Sequence, residues 1–184
     1  MTIPAGREKP GSPLIRTAQQ ADHPDLLPPA RHTDVELATL IALLTQPRSR
    51  IELLAIGHSR DEASREAAHA VAEAWTARRG KVLTVVSWPE EAASWLRPAT
   101  RLTTPGPDAW VMAAALLGFA QLARRLRRST DWNPARTFAF ASLQDSRLPA
   151  LVGPGILDGL RGATADGGTW VVDGRWVTTH SPAG

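Results

Sequence analysis

Gly57-His58-Ser59-Arg60-Asp61 places an imidazole, a hydroxyl, a guanidinium and a carboxylate side by side. A neutral imidazole in such a loop can hold a ligand or a metal. Ser59 also reads as the N-cap of a following helix, with Glu62 closing a capping box. Asp61 and Glu62 would then sit in the first helical turn and match its positive end. They oppose a phosphate at that loop, because the positive charge is already answered. A second polar group, Ser142-Leu143-Gln144-Asp145-Ser146, follows an apolar run. Its acceptors and hydroxyls can read a polar ligand, or hold a turn through their own backbone bonds. Trp88 follows another apolar run, where an indole can stack on a ligand. The candidate ligand-binding residues are therefore His58, Ser59, Arg60, Trp88, Ser142, Gln144 and Asp145.

Other chemistries lack their residues. His23, His32, His58, His69 and His180 are scattered, with no metal-ligand spacing. There is no glycine-rich phosphate loop, no G-x-S-x-G and no paired-carboxylate motif in a defined context. No catalytic residue, metal or cofactor is expected. Arg124, Arg125, Arg127 and Arg128 crowd one predicted helix end. Dipole complementarity accounts for them. Nucleic acid is not expected as a partner, because no reader motif or interleaved aromatics accompany the arginines.

The elements that must position these residues alternate. Thr33-Asp34-Val35-Glu36 is a capping box, and Leu37, Leu40, Ile41 and Leu44 give one helical face before Pro47. Ile51–Gly57 is an apolar run of strand length. Ala67, Ala68, Val71, Ala74 and Trp75 mark the buried face of the next helix, with Arg78 and Arg79 at its end and Gly80 suiting a left-handed stop. Lys81–Ser87 is a strand, Glu90–Leu96 a short helix closed by Pro98. Ala109–Ala113 reads as a strand before a helix reaching about Arg128. Met112, Leu116, Phe119, Ala123 and Leu126 also fit one helical face, so a single helix from Pro107 stays open. Thr137–Ala141 is a strand, and residues 154–161 a short helix. Trp170–Val172 and Arg175–Thr178 flank Asp173-Gly174, a hairpin signal. Apolar strands alternating with helices indicate a parallel sheet covered on both faces. Ligands of such sheets bind outside the strand carboxyl ends, which is where the candidate residues fall.

The expected architecture is an α/β, three-layer Rossmann-like domain. It has a mainly parallel sheet of four or five strands and a C-terminal β-hairpin. Residues 1–32 hold many prolines and little periodicity and read as a disordered arm, on which Leu26 and Leu27 could dock to the body. Residues 33–180 form a single domain. Of 184 residues, 43% are hydrophobic and 21% charged, enough for a sizeable core. The formal net charge is +3, and its basic side is almost wholly arginine, since lysine occurs only at Lys9 and Lys81. Cysteine is absent, which excludes disulfides and thiol chemistry. With no signal-peptide-like opening and no spanning apolar run, a cytoplasmic protein off the membrane is expected.

IELLAIGHSRDEASREAAHAVAEAWTARRGKVLTVV, then PDAWVMAAALLGFAQLARRLR, then TFAFASLQDSRLPALVGP follow the order of one lobe of the type I periplasmic-binding-protein fold. The chain resembles that fold, found in branched-chain amino-acid binding proteins and lac-repressor-like effector domains, over about residues 48–165. The resemblance implies a noncatalytic lobe that binds a small polar metabolite, completed by a second copy or another protein partner. Ala114 and Ala115 stand where such regulators often carry polar contacts. Two further resemblances are shorter. STDWNPARTFAFAS at residues 129–142 is similar to sugar-phosphate isomerase domains, without their Ser/Thr-rich phosphate loop. His58–Asp61 is similar to the opening loop of tetrapyrrole chelatases, without a counterpart of their second histidine.

Overall fold

The computed structural model describes Leu26 and residues 28–182. Helix α1 (Asp34–Leu44) precedes β1 (Leu53–Ser59), α2 (Glu62–Ala77), β2 (Lys81–Trp88), α3 (Leu96–Thr103), β3 (Ala109–Ala113) and α4 (Leu116–Ser129). Then come β4 (Thr137–Ala139), α5 (Leu148–Val152), β5 (Arg161–Ala163), β6 (Thr169–Asp173) and β7 (Trp176–His180). The seven strands form one sheet in the order β2-β1-β3-β4-β5-β6-β7. The first five are parallel, and β6 and β7 add the antiparallel hairpin. Helices α1 and α2 cover one face, with Leu40, Leu44, Val71 and Trp75 on Leu54, Ile56 and Val111. Helices α3 to α5 cover the other, around Trp88, Trp95, Phe119, Trp132 and Trp170. The three-layer α/β expectation holds.

β3 is buried along its whole length and α4 begins only at Leu116, so Pro107–Arg128 is strand plus helix. A strand between β1 and β4 has both faces covered, which explains why every residue of AWVMA is apolar. The Thr33–Glu36 capping box forms as read. The hairpin turns where expected: Asp173 pairs with Trp176, and Gly174 takes φ +58 in the first loop position.

Four local expectations are corrected. Asp61, not Ser59, caps α2: its Oδ1 accepts from Ser64 N–H at 2.8 Å, while Ser59 finishes β1. Residues 90–95 are not helical, and the helix starts at Leu96 with Pro98 inside its first turn, where a missing N–H costs nothing. The helix near 154–161 lies earlier, at Leu148–Val152; Gly153, Gly155 and Gly159 all take positive φ and turn the chain into β5, a strand too short to show in the pattern. The left-handed residue after α2 is Arg79, with φ +63, and not Gly80.

α1 reaches across the chain. Thr33 Oγ1 donates to Ala165 O at 2.7 Å and Thr39 Oγ1 to Gly167 O at 3.0 Å. Leu26 packs against the core on the α3–α5 face. Pro29–His32 line a cavity on the α1–α2 face, and Arg31 pairs with Glu66 at 3.0 Å. Leu26 and residues 29–32 thus touch opposite faces of the sheet. Leu27 and most of the arm lie outside the described residues.

Candidate ligand site at the strand carboxyl ends

The helices of this sheet start at the carboxyl ends of the strands, so their positive ends gather there. α4 receives no cap from its own N-cap residue, Ala115. Glu90 supplies it from the loop after β2. Gly118 N–H donates to Glu90 Oε2 at 2.8 Å, Ser59 Oγ donates to Oε1 at 2.6 Å, and Ala115 N–H donates to Ser59 Oγ at 2.9 Å. Gly118 leaves the carboxylate room, since a Cβ there would lie 2.6 Å from Glu90 Oε2 and push the side chain aside. Burial pushes the Glu90 carboxyl above its usual range, and nearby Asp61 adds to that; the bonds from Ser59 and Gly118 pull the other way. The anion that α4 would attract is thus the chain's own carboxylate.

A cavity of ≈ 150 Å³ lies on the other side of this end, between Pro29–His32, the start of α2, and the ends of β3 and β4. Glu36 forms its polar wall. One oxygen accepts from Thr33 N–H at 3.3 Å and the other from Ala141 N–H, so one carboxylate ties α1 to the loop after β4. Burial raises its pKa, opposed by both backbone bonds and by His32. Ser64 Oγ and His32 Nδ1 face this region buried and without a hydrogen-bond partner. His32 also stacks edge-on against Phe140 at 5.6 Å. Alanines 63, 67, 113, 141 and 165 complete the lining.

The candidate residues separate under this geometry. Ser142 lines the cavity. His58 is half-buried, with Nδ1 2.7 Å from Ser59 O, and Arg60 is exposed beside it. Ser59 is fully buried and belongs to the Glu90 network. Gln144 Nε2 donates to Thr179 Oγ1 at 2.9 Å, fastening the loop to β7. Asp145 accepts from Arg147 N–H at 2.8 Å and pairs with its guanidinium at 2.6 Å, which is turn chemistry. Trp88 is only 1% exposed, with its ring across Gly57 in the core. Its expected role as a stacking surface is withdrawn: the indole fills the space that a residue without a Cβ leaves. Sequence reasoning missed Glu90, Ser64 and His32. Glu90 had one signal, a carboxylate directly after Trp88-Pro89 at a strand end, where proline argues against continuing regular structure. Ser64 had none beyond its place in a helical first turn.

No family model matches this sequence, and no curated protein matches it. Solved structures do. A substrate-binding periplasmic protein from Ralstonia solanacearum superposes with TM-score 0.62 at 17% identity, covering 73% of this chain and 37% of its own. The fold is that of one lobe of a type I periplasmic-binding protein. An extracellular ligand-binding receptor from Rhodopseudomonas palustris (TM-score 0.60, 13% identity, 71% and 36% covered) has the same lobe. So does a branched-chain amino-acid ABC transporter periplasmic ligand-binding protein from Burkholderia xenovorans LB400 (TM-score 0.55, 10% identity, 73% and 35%). The chain spans just over a third of the length of these periplasmic-binding structures. They are periplasmic or extracellular proteins, which overturns the cytoplasmic expectation; absence of cysteine suits either side of a membrane. Among the described residues no helix is long and apolar enough to cross a membrane, and no cluster of His, Cys, Asp or Glu could hold a metal ion. Nothing in these comparisons supports the isomerase-like or chelatase-like readings.

Proposed function

We propose that this chain is a noncatalytic solute-binding lobe that takes a small polar metabolite at the carboxyl end of its sheet. The observation that carries the reading is the cavity between α2 and the ends of β3 and β4, whose buried Ser64 hydroxyl and His32 Nδ1 have no partner in the protein. A buried hydroxyl without a bond costs about 1–3 kcal/mol. A ligand that bonds to it recovers that cost. Ser142 adds a third polar group, and His58 and Arg60 stand at the neighbouring strand end. Gln144 and Asp145 hold the loop that carries Ser142.

The cavity is smaller than the roughly 300–1,000 Å³ usual for a ligand of drug size. A larger solute therefore needs a second wall, and a second copy of the lobe or a further lobe provides it. The test is calorimetric titration with amino acids and small carboxylic acids, on the parent and on Ser64→Ala and Ser142→Ala, with mass in solution measured at each step. The reading expects one ligand class to bind the parent and to weaken at least tenfold in both variants. It fails if no class binds either the monomer or an assembled form. Binding equal in parent and variants refutes the placement of the site.

A further inference from the structure

We propose that the amino end of the sheet carries a second, separate site, which takes the polyphosphate group of a small molecule. A cavity of ≈ 690 Å³ opens there, between the ends of α1 and α2 and the starts of β1 and β2. Arg50, Arg78, Arg79 and Lys81 line it, against one carboxylate, Glu52. A neighbouring cavity of ≈ 260 Å³ shares Gln46, Ser49 and Ile51 with it and adds Arg48, Arg136 and Arg161. All ion pairs among the described residues lie elsewhere, at Arg31, His69 and Arg147. Seven cations therefore border one stretch of surface without a carboxylate partner.

Two buried donors sharpen the point. Trp75 Nε1 and Arg161 Nε have no hydrogen-bond partner. Trp75 is 3% exposed, and its indole nitrogen lies under Gly80, where a Cβ would be 2.2 Å away. Arg161 is spread over the Phe138 ring at 5.5 Å and gives one N–H to Ala135 O at 2.7 Å. Of the two, Arg161 Nε adds a free donor to the cationic surface, whereas Gly80 covers the Trp75 nitrogen.

Helix-end complementarity accounts for Arg78, whose Nη1 donates to Ala74 O at 3.2 Å in the last turn of α2, but not for the rest of the cluster. Only Arg78 and Arg79 follow a helix directly, and the carbonyls there are already met: Trp75 O accepts from Arg78 and Gly80 N–H at 3.0 and 3.1 Å, and Leu44 O from Ser49 Oγ at 3.0 Å. Arg50 and Lys81 belong to a loop and a strand. Arg50 and Arg79 are moreover the only non-glycine residues with positive φ among those described, at +48 and +63. Arginine is a poor choice for that conformation, and strain kept at a cavity rim points to use of the side chain. The charge count selects a multiply charged anion over a monocarboxylate. The concave shape and the burial of Trp75 select a small molecule over a nucleic acid, which reads through exposed stacking faces.

The test is calorimetric titration of the full chain with inorganic pyrophosphate, ATP, citrate and a single-stranded oligonucleotide, in low salt and again in high salt. Pyrophosphate and ATP are expected to bind and citrate to bind more weakly. Raising the salt from about 20 to about 200 mM should weaken phosphate binding by roughly tenfold, since the cations are exposed to screening. Arg50→Gly and Arg79→Gly place glycine where the backbone favours it, so the fold is kept. The double variant is expected to lose at least tenfold in affinity for pyrophosphate, whereas Arg65→Gln, which removes an exposed cation of α2 outside these cavities, loses none. ATP tighter than pyrophosphate through the same arginines would extend the site to a nucleoside; equal affinities would confine it to the phosphates. No phosphate binding at low salt overturns the proposal. So does binding that survives the double variant, and so does an oligonucleotide that binds more tightly than ATP.

Discussion

The two ends of this sheet are built from opposite charge and put it to different use. At the carboxyl end, Glu36 is buried and Glu90 half-buried, and each holds a neighbouring element by accepting backbone N–H groups. At the amino end the arginines and Lys81 surround open cavities and pair with no carboxylate. Part of the separation follows from topology. Helices antiparallel to their strands bring acidic first turns, such as Asp34, Glu36 and Glu62, to one end. They bring basic last turns, such as Arg101, Arg127 and Arg128, to the other. The difference teaches that bonds separate two kinds of charge: Glu36, Glu90, Arg78, Arg136 and Arg161 bond to backbone groups and serve the fold, whereas Arg50, Arg79 and Lys81 make no such side-chain bond.

The comparison is broken most severely by removing bulk at the carboxyl end. Trp88→Ala should cost about 3–5 kcal/mol, read by denaturant unfolding, because nothing else fills its place against Gly57 and Met112. A loss below about 1 kcal/mol would mean that the indole is not the packed plug seen here. Next, Glu36→Ala should cost about 1–3 kcal/mol by the same measurement, since it strands the Thr33 and Ala141 N–H groups.

A smaller effect tests the sign of the buried charge. The Glu90 pKa is raised by burial, so the folded protein holds that proton more tightly than the unfolded chain. This contribution to stability is complete below the ordinary carboxylate range and is lost as pH rises through the folded pKa. Glu90→Gln should flatten the fall in Tm as pH rises above about 4.5, followed by thermal scans across pH. A steeper fall in the variant would contradict the assignment. At the amino end the effect should reverse. Arg79→Gly relieves a positive φ and should stabilise by up to about 1 kcal/mol, while its neighbour's removal, Lys81→Ala, should change stability by less than about 0.5 kcal/mol. Destabilisation by either would show that those cations serve the fold.

Much of the architecture was legible because burial on both faces leaves a plain mark. LLAIG and the Leu40-Ile41-Leu44 face follow from length and period, whereas AWVMA also fits a helical face with Leu116 and Phe119, and only its place between β1 and β4 makes it a strand. The Asp173-Gly174 turn was legible because few residues accept its φ. β5 was not, since Arg-Gly-Ala has no strand pattern and is placed by its neighbours β4 and β6. The site was legible only in its location. Gln144 and Asp145 carry the right chemistry but bond within the fold. Ser64 and His32 are brought together from either side of β1, a proximity no local pattern encodes. Cation clusters such as Arg50, Arg78 and Arg79 look in sequence like any solvated surface, and only their shared cavity distinguishes them.

The bonds from Thr33 to Ala165 and from Thr39 to Gly167 span 132 and 128 residues. Helix α1 is therefore synthesised long before the turn after β5 to which it bonds. At ordinary synthesis rates the interval is on the order of ten seconds. Through that time Leu40, Ile41 and Leu44 have no partner on β4 or β5. The helix can rest early on β1 and α2, but its bonds to Ala165 and Gly167 close only once the turn after β5 has been made.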